Sequence, residues 1–339
     1  MLTFDDILGQ TTAIEALTSA YKVDRLPHGL IFAGPQGVGK GSTAQALGAL
    51  FLCEKPKGLA PCGKCASCTA FAAGNHPDFH VIYRQLARLE KEERKARDIT
   101  ADVIREFLIS KAANKSVVGI GKIFVIEEAD LMNTTAQNAL LKTLEEPAGR
   151  TLIILLTDQP DSMLPTIRSR CRLIQFAQLD EKLVRDQLVK RGFDKDSASR
   201  AASYSEGSLG LAIHWLEDGV IDRATELTQR LEKILAGGGV AELPEFLKTS
   251  AEAYAAKQLE RDERASKDQL MREGMVLYLK LVAQFFRRRM VQIEDDPDQL
   301  ERACAAVDAV VRAEGYVDSN VNIPLVLQQF AVALEGAVH

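Results

Sequence analysis

Five short apolar runs punctuate the first half of the chain: GLIFAG (29 to 34), FHVIY (79 to 83), KIFVIEE (122 to 128), TLIILLT (151 to 157) and RLIQFA (172 to 177). Each is too short for a buried helix, and helix-patterned stretches separate them. Near-continuous apolarity, rather than strict alternation, is what a strand carries when both faces of its sheet are covered, so the runs predict a five-stranded parallel sheet between layers of helices. The helices are predicted at about 11 to 23, 42 to 52, 102 to 113 and 131 to 146. The last is closed by Pro147, which cannot continue a helix interior.

From about residue 178 the pattern changes. LDEKLVRDQLVKRG opens a series of segments with apolar residues at spacings of three and four, and strand-like runs do not return. The glycines in ILAGGGVAELP (234 to 244) break that series and mark a boundary between a small helical domain and a C-terminal helical one; a loop inside a single helical domain is the alternative. The predicted organisation is therefore an α/β domain over 1–177, an all-α domain over 178–238 and an all-α domain over 239–339. The charged segment ARLEKEERKARD (87 to 98) mixes both signs and reads as a solvated helix or insertion rather than a nucleic-acid tract.

Composition narrows the function classes. A chain of 339 residues with 46% hydrophobic and 26% charged residues suits two or three globular domains. No apolar stretch approaches the roughly 20 residues needed to cross a bilayer, and the acidic start MLTFDDILGQ lacks the blocks of a signal peptide, so a cytoplasmic location is expected. The net charge of -5 argues against a protein whose main work is holding DNA by itself, which requires an excess of Lys and Arg on one face.

The first run leads into GPQGVGKGST (34 to 43), where G-x-x-x-x-G-K spans Gly34, Gly37, Gly39 and Lys40 between a predicted strand and a predicted helix. In that context glycines let backbone N–H groups converge on phosphate, the helix N-terminus adds partial positive charge and Lys40 a full one. The next position, which should offer a hydroxyl to a magnesium ion, is Gly41. Ser42 cannot replace it, because one step along a helix turns the side chain by about 100°. Its expected role is local, at the first turn of the helix or on its backbone. A second departure lies in KIFVIEEAD, similar to a strand ending in Asp-Glu that holds magnesium and polarises water, with Glu127 at the Asp position and Glu128 at the water-activating one. The extra methylene displaces a carboxylate that octahedral magnesium needs closely placed.

Cys53, Cys62, Cys65 and Cys68 follow the spacing C-x8-C-x2-C-x2-C. Four thiolates around one ion favour zinc in a closed, structural site. Cys171 and Cys304 lie far away and read as packing residues. His76 and His80 flank PDF and read as strand-edge residues, since the four thiolates already complete a ligand set.

The loop, KIFVIEEADLMNTTAQNALLKTLEEP and LPTIRSRCRLIQF together resemble the bacterial clamp-loader AAA+ proteins, the family of DNA polymerase III gamma/tau and delta-prime subunits. The resemblance is dense over about residues 4 to 177 and thinner beyond. It implies a P-loop AAA+ domain, a helical lid and a helical collar that assembles with gamma/tau and delta subunits into a hetero-pentamer acting on a sliding clamp and primed DNA. It also implies the same zinc insertion, at 53–68. In the family, the Arg of the SRC stretch, here Arg170, is an arginine finger supplied to the ATP site of the neighbouring subunit; on the residues alone it reads as a surface arginine. Thr157 falls where the family has a polar residue sensing the gamma-phosphate, and a strand-end threonine capping a turn is the other reading. GSLGLA (207 to 212) has Leu211 where hydrolysing members have a lid arginine. With loop hydroxyl, strand aspartate and lid arginine all altered while Arg170 is kept, the chain resembles the delta-prime branch, a non-hydrolysing stator that helps load the clamp during replication. The competing readings are an active gamma/tau-like ATPase using Lys40, Glu127 and Glu128, and a stand-alone DNA-binding AAA+ protein.

Overall fold

In the computed structural model, which describes residues 1–86, 98–118, 120–261, 265–293, 295–319 and 321–338, the five apolar runs form one parallel sheet. Its strands are β1 (Gly29–Ala33), β2 (Phe79–Ile82), β3 (Lys122–Ile126), β4 (Thr151–Thr157) and β5 (Arg172–Gln175), in the order β2-β3-β4-β1-β5. Each is as long as its run or shorter by up to two residues at the C-terminal end, where Gly34, Tyr83, Glu127 and Glu128 leave the ladder to form the lip of the sheet. The charged segment at 87 to 98 lies, apart from Asp98, outside the described residues.

The side-chain period of two sorts the strands onto two cores. Leu30, Phe32, Ile123, Val125, Ile154 and Leu156 face α1 (Thr11–Lys22) and α2 (Lys40–Leu52). Ile31, Phe124, Ile126, Ile153 and Leu155 face the other way. That second face is covered by α4 and α5 (Thr134–Glu145), a short α3 (Ala66–Ala72) having intervened after α2. The α4 segment is Ala101–Ile104, continued by a π-type turn at Arg105–Ile109 and a last turn at Ser110–Ala113. The predicted helix at 131 to 146 divides: a 3-10 turn at Ala129–Leu131 is followed by α5, whose cap is Asn133, its side chain accepting from the Ala136 N–H at 2.9 Å. A short α6 (Pro165–Arg168) precedes β5.

The described chain forms two compact units, Met1–Leu188 with Ser205–Leu211, and Val189–Tyr204 with Ala212–His339. The second is helical. It contains α8 (Lys195–Tyr204), which follows α7 (Glu181–Lys190), most of α9 (Leu209–Glu217), α10 (Val220–Leu235), α11 (Leu243–Arg261), α12 (Lys267–Gln292), α13 (Pro297–Asp318) and α14 (Ile323–Val338). Leu227, Leu231 and Ile234 of α10 share one apolar cluster with Phe246, Tyr278 and Phe330. Cys304 departs from its expected role: it lies on the exposed face of α13 rather than in the core. Among the described residues no helix is long and apolar enough to cross a membrane.

His80 lies on the edge strand β2, its ring stacked on Phe124 at 4.9 Å. Burial first, and then the Lys111 charge, pushes it down to about 4. The unfolded chain therefore takes up this proton at a higher pH than the folded one, so stability is full above about pH 6.5 and declines as pH falls toward 4. Thermal melts of the full chain across pH 4 to 7 should show that loss, and His80→Gln should flatten it.

Candidate functional site

The phosphate-type loop leaves the carboxyl end of β1 and runs straight into α2, whose first residue is Lys40. Two glycines are required by local geometry. A Cβ at Gly34 would stand 2.2 Å from the Phe176 carbonyl oxygen, and Gly37 has φ of +73° with Ser208 Oγ 2.2 Å from where a Cβ would be. Gly39, the residue before α2, also has positive φ, at +105°. The loop is tied to its surroundings by the Gly34 N–H to Thr157 O (3.2 Å), by the Gly210 N–H to Gly37 O (2.9 Å), and by the buried amide of Gln10. Gln10 Nε2 donates to Val38 O at 3.1 Å and Ala177 O at 2.8 Å, while its Oε1 accepts from the Ala177 N–H at 3.1 Å.

Lys40 Nζ donates to the carbonyls of Gly34 and, at 2.8 Å, Pro35. Burial lowers its pKa, against the opposing charges of Asp158 and Asp130. Thr43, not Ser42, makes the local backbone bond, from Oγ1 to Gly39 O at 2.9 Å. Leu211 turns its N–H to the Ser208 hydroxyl at 3.1 Å and brings no charge to the loop.

The ends of β3 and β4 complete this edge. Glu127 follows β3, its N–H on Ile82 O at 2.9 Å; although its side chain reaches solvent, the protein around it raises its carboxyl pKa through desolvation. Glu128 has φ of +50° and pairs with Arg84 Nε at 3.2 Å. The buried Thr157 hydroxyl donates to Asp130 Oδ1 at 2.7 Å and accepts from the Gln159 N–H at 2.9 Å, the geometry of a threonine closing a turn. As a cradle for a divalent cation the set fits poorly: Gly41 has no side-chain oxygen, Glu127 is favoured in its protonated form relative to an ordinary glutamate, and Glu128 is engaged by Arg84.

Arg170 lies at the opposite edge. It precedes β5, and its carbonyl oxygen is 3.1 Å from where a Cβ on Gly29, the first residue of β1, would stand. Its Nε donates to Glu145 Oε1 at 2.7 Å, Nη2 pairs with the same oxygen, and Nη1 donates to Thr166 O at 3.0 Å. Neighbouring Cys171 packs, partly buried, against the second core, and burial pushes its thiol up to about 12.

The four cysteines converge. Cys53 ends α2, Cys65 caps α3, and the sulfurs of Cys53, Cys62, Cys65 and Cys68 all lie within 4.8 Å of one another. Cys62 Sγ and Cys68 Sγ are 3.9 Å apart, close to the roughly 3.8 Å edge of a tetrahedron with bonds of about 2.3 Å. The N–H groups of Lys64 and Cys65 hold the Cys62 thiol down at about 6, whereas burial pushes Cys68 up to about 12, a shift that a bound cation reverses. This cluster can bind a metal. His76 stands outside it and before β2 rather than on it: Nδ1 accepts from the Asp78 N–H at 3.0 Å, which leaves Nε2 to donate to Ser67 Oγ at 2.9 Å, and Ser67 donates to Leu52 O at 2.7 Å.

Sequence reading omitted Gln10, Arg84, Asp130, Glu145 and Asp158. Asp130 and Asp158 carried a signal, an acidic residue just past a buried strand. The others act on partners far away in sequence.

The family described as "DNA polymerase III, delta subunit" matches residues 9–180, just over half of the chain. DNA polymerase III subunit delta' of Pseudomonas aeruginosa is 40% identical over 144 residues, covering 42% of this chain and 41% of that one. The subunit of the same name in Escherichia coli K12 is 32% identical over 200 residues, 59% of this chain and 57% of that one. The tau/gamma subunit of Haemophilus influenzae is 34% identical over 187 residues, 55% of this chain and 25% of that one. The match thus spans about half the length of each of these delta' relatives.

The Gln10 amide should be a stability determinant of the loop. Gln10→Ala leaves the Ala177 N–H without its acceptor and the Val38 and Ala177 carbonyls without this donor, which should cost about 1 to 3 kcal/mol. A urea titration should show a lower midpoint at an unchanged slope.

Proposed function

Because this chain belongs to the DNA polymerase III delta-subunit family, we propose that it is the delta-prime stator of a clamp loader, a subunit that lends an arginine to a neighbour's ATP site and does not itself hydrolyse ATP. In this reading residues 1–177 are the AAA+ domain, 178–238 the lid and 239–339 the collar. The chain works in the cytoplasm with gamma/tau and delta subunits in a hetero-pentamer that loads the sliding clamp onto primed DNA.

One observation carries the reading. The phosphate loop leaves the carboxyl end of β1, while Arg170 sits beside the amino end of that strand, five residues and roughly 16 Å away at the rise of a parallel strand. An arginine there does not reach the chain's own loop. A nucleotide it meets belongs to another subunit, where a guanidinium against the gamma-phosphate stabilises charge in the transition state. The altered loop supports the other half: Gly34, Gly37, Gly39 and Lys40 keep the shape that holds phosphate, yet Gly41, Glu127 and Leu211 supply little grip on a metal–nucleotide complex. Thr157 keeps the place of a phosphate sensor in this reading.

The retained Lys40 and the kinship with tau/gamma favour the rival reading, an ATPase in its own right. Steady-state turnover separates them. The isolated chain should hydrolyse ATP no faster than its Lys40→Ala form, and a reconstituted loader carrying Arg170→Ala should assemble but turn over ATP at least tenfold more slowly. Lys40-dependent turnover by the chain alone would establish the ATPase.

The ion proposed for Cys53, Cys62, Cys65 and Cys68 is zinc in a structural role, since four thiolates leave no open coordination position. Elemental analysis should find about one zinc per chain. Cys65→Ser should lower both metal content and melting temperature without affecting Arg170-dependent turnover in the assembled loader.

A further inference from the structure

Glu145 occupies an electrostatically unfavourable place. It is the last residue of α5, where the carbonyl end of the helix dipole disfavours a carboxylate, and Glu146 follows it. Its Oε1 accepts from Nε of Arg170 at 2.7 Å and pairs with Nη2 of the same guanidinium, while Nη1 is held by Thr166 O at 3.0 Å. Three of the five guanidinium donors are thereby directed inward, and the plane of the group is fixed. The side chain stays 35% exposed, with Ser169 Oγ, at 3.5 Å, a weak further neighbour of Nη1. An exposed ion pair that merely decorates a surface contributes little and sets no orientation. Here one carboxylate oxygen and one carbonyl hold the guanidinium through three of its N–H donors, and the edge that carries the other two belongs to a side chain that stays part-exposed.

We propose that Glu145 is a positioning residue for the trans reaction: it pre-orients Arg170 so that the outer edge of the guanidinium meets the phosphate of the neighbouring subunit. This rests on the reading of Arg170 as a donor in trans. An unrestrained arginine spreads over many rotamers, and only those aimed at the phosphate contribute to the transition state. Glu145 raises their population without touching the nucleotide. Its loss therefore lowers the rate of the chemical step and leaves ATP binding to the neighbour unchanged.

The test is a double-mutant cycle in the reconstituted loader, reading kcat, KM for ATP and subunit stoichiometry. Arg170→Ala sets the floor. Glu145→Ala should lower kcat roughly tenfold, about the effect of losing one charge-assisted hydrogen bond, with KM and assembly unchanged. Glu145→Gln, which keeps an acceptor oxygen, should recover part of the loss. Glu145→Ala with Arg170→Ala should be no slower than Arg170→Ala alone, because a residue that acts only through the arginine has nothing left to position. Normal turnover by Glu145→Ala, or a further loss on top of Arg170→Ala, would overturn the inference while leaving the finger reading intact. Normal turnover by Arg170→Ala would instead sink the trans reading itself. Should Glu145→Ala not assemble, the same cycle with Glu145→Gln decides.

Discussion

The pairing of β1 with β4 is the interaction on which the rest of the α/β unit depends. Gly29 lies opposite Ile153 and Ala33 opposite Thr157, and both strands are buried on both faces. With no water at hand, every backbone group in this pair must find its partner in the ladder, and a slip of one residue would exchange the side chains of the two cores. That register brings the Gly34 N–H onto Thr157 O, so the loop and the acids after β3 and β4 share one lip of the sheet. At the other end it leaves Gly29 against Cys171 and the Arg170 backbone. The loop and Arg170 are separated by the length of a strand.

Within the carboxyl edge the missing hydroxyl is not forced by packing. A Cβ on Gly41 would meet nothing nearer than Leu156 Cδ1 at 4.0 Å, so there is room there for a side chain to begin, and glycine inside a helix is less stable than alanine by about 0.5 to 1 kcal/mol. Gly34 and Gly37 differ in this respect, since backbone and side-chain atoms occupy the space a Cβ would need. The fold thus demands the glycines that shape the loop, whereas packing does not demand Gly41. Around it Thr157 is bonded to Asp130 and Glu128 is paired with Arg84, so the polar groups of this lip are engaged with one another.

The strands, the helices on both faces and the four-cysteine cluster were legible because each leaves a local trace: an apolar run, a period near 3.6, a close spacing of thiols. Helix starts were less so. α5 begins at an Asn133 cap after a separate 3-10 turn, and the π-type turn in α4 has no counterpart in hydrophobic periodicity. The bonds that define the two edges were not legible at all. Gln10 reaches residues 28 and 167 positions away, and Arg170 is held by a glutamate 25 positions earlier. Such contacts exist only after the sheet has closed. His76 shows the same limit: it reads as a strand-edge residue, yet it lies before β2 and bonds to Ser67 and Asp78.

Those edges are connected by α5. As the crossover between β3 and β4 it runs back against the strands, from the lip that carries Glu127, Glu128 and Asp130 to the end that carries Arg170. Its cap, Asn133, stands three residues beyond Asp130, and its last residue is Glu145. Twelve residues of helix make a rod of about 18 Å. Leu140 and Leu144, fully buried against the sheet, prevent it from sliding along the strands without repacking the core. The place of Glu145, and with it the orientation of Arg170, is therefore set by the same packing that fixes the lip with the phosphate-type loop.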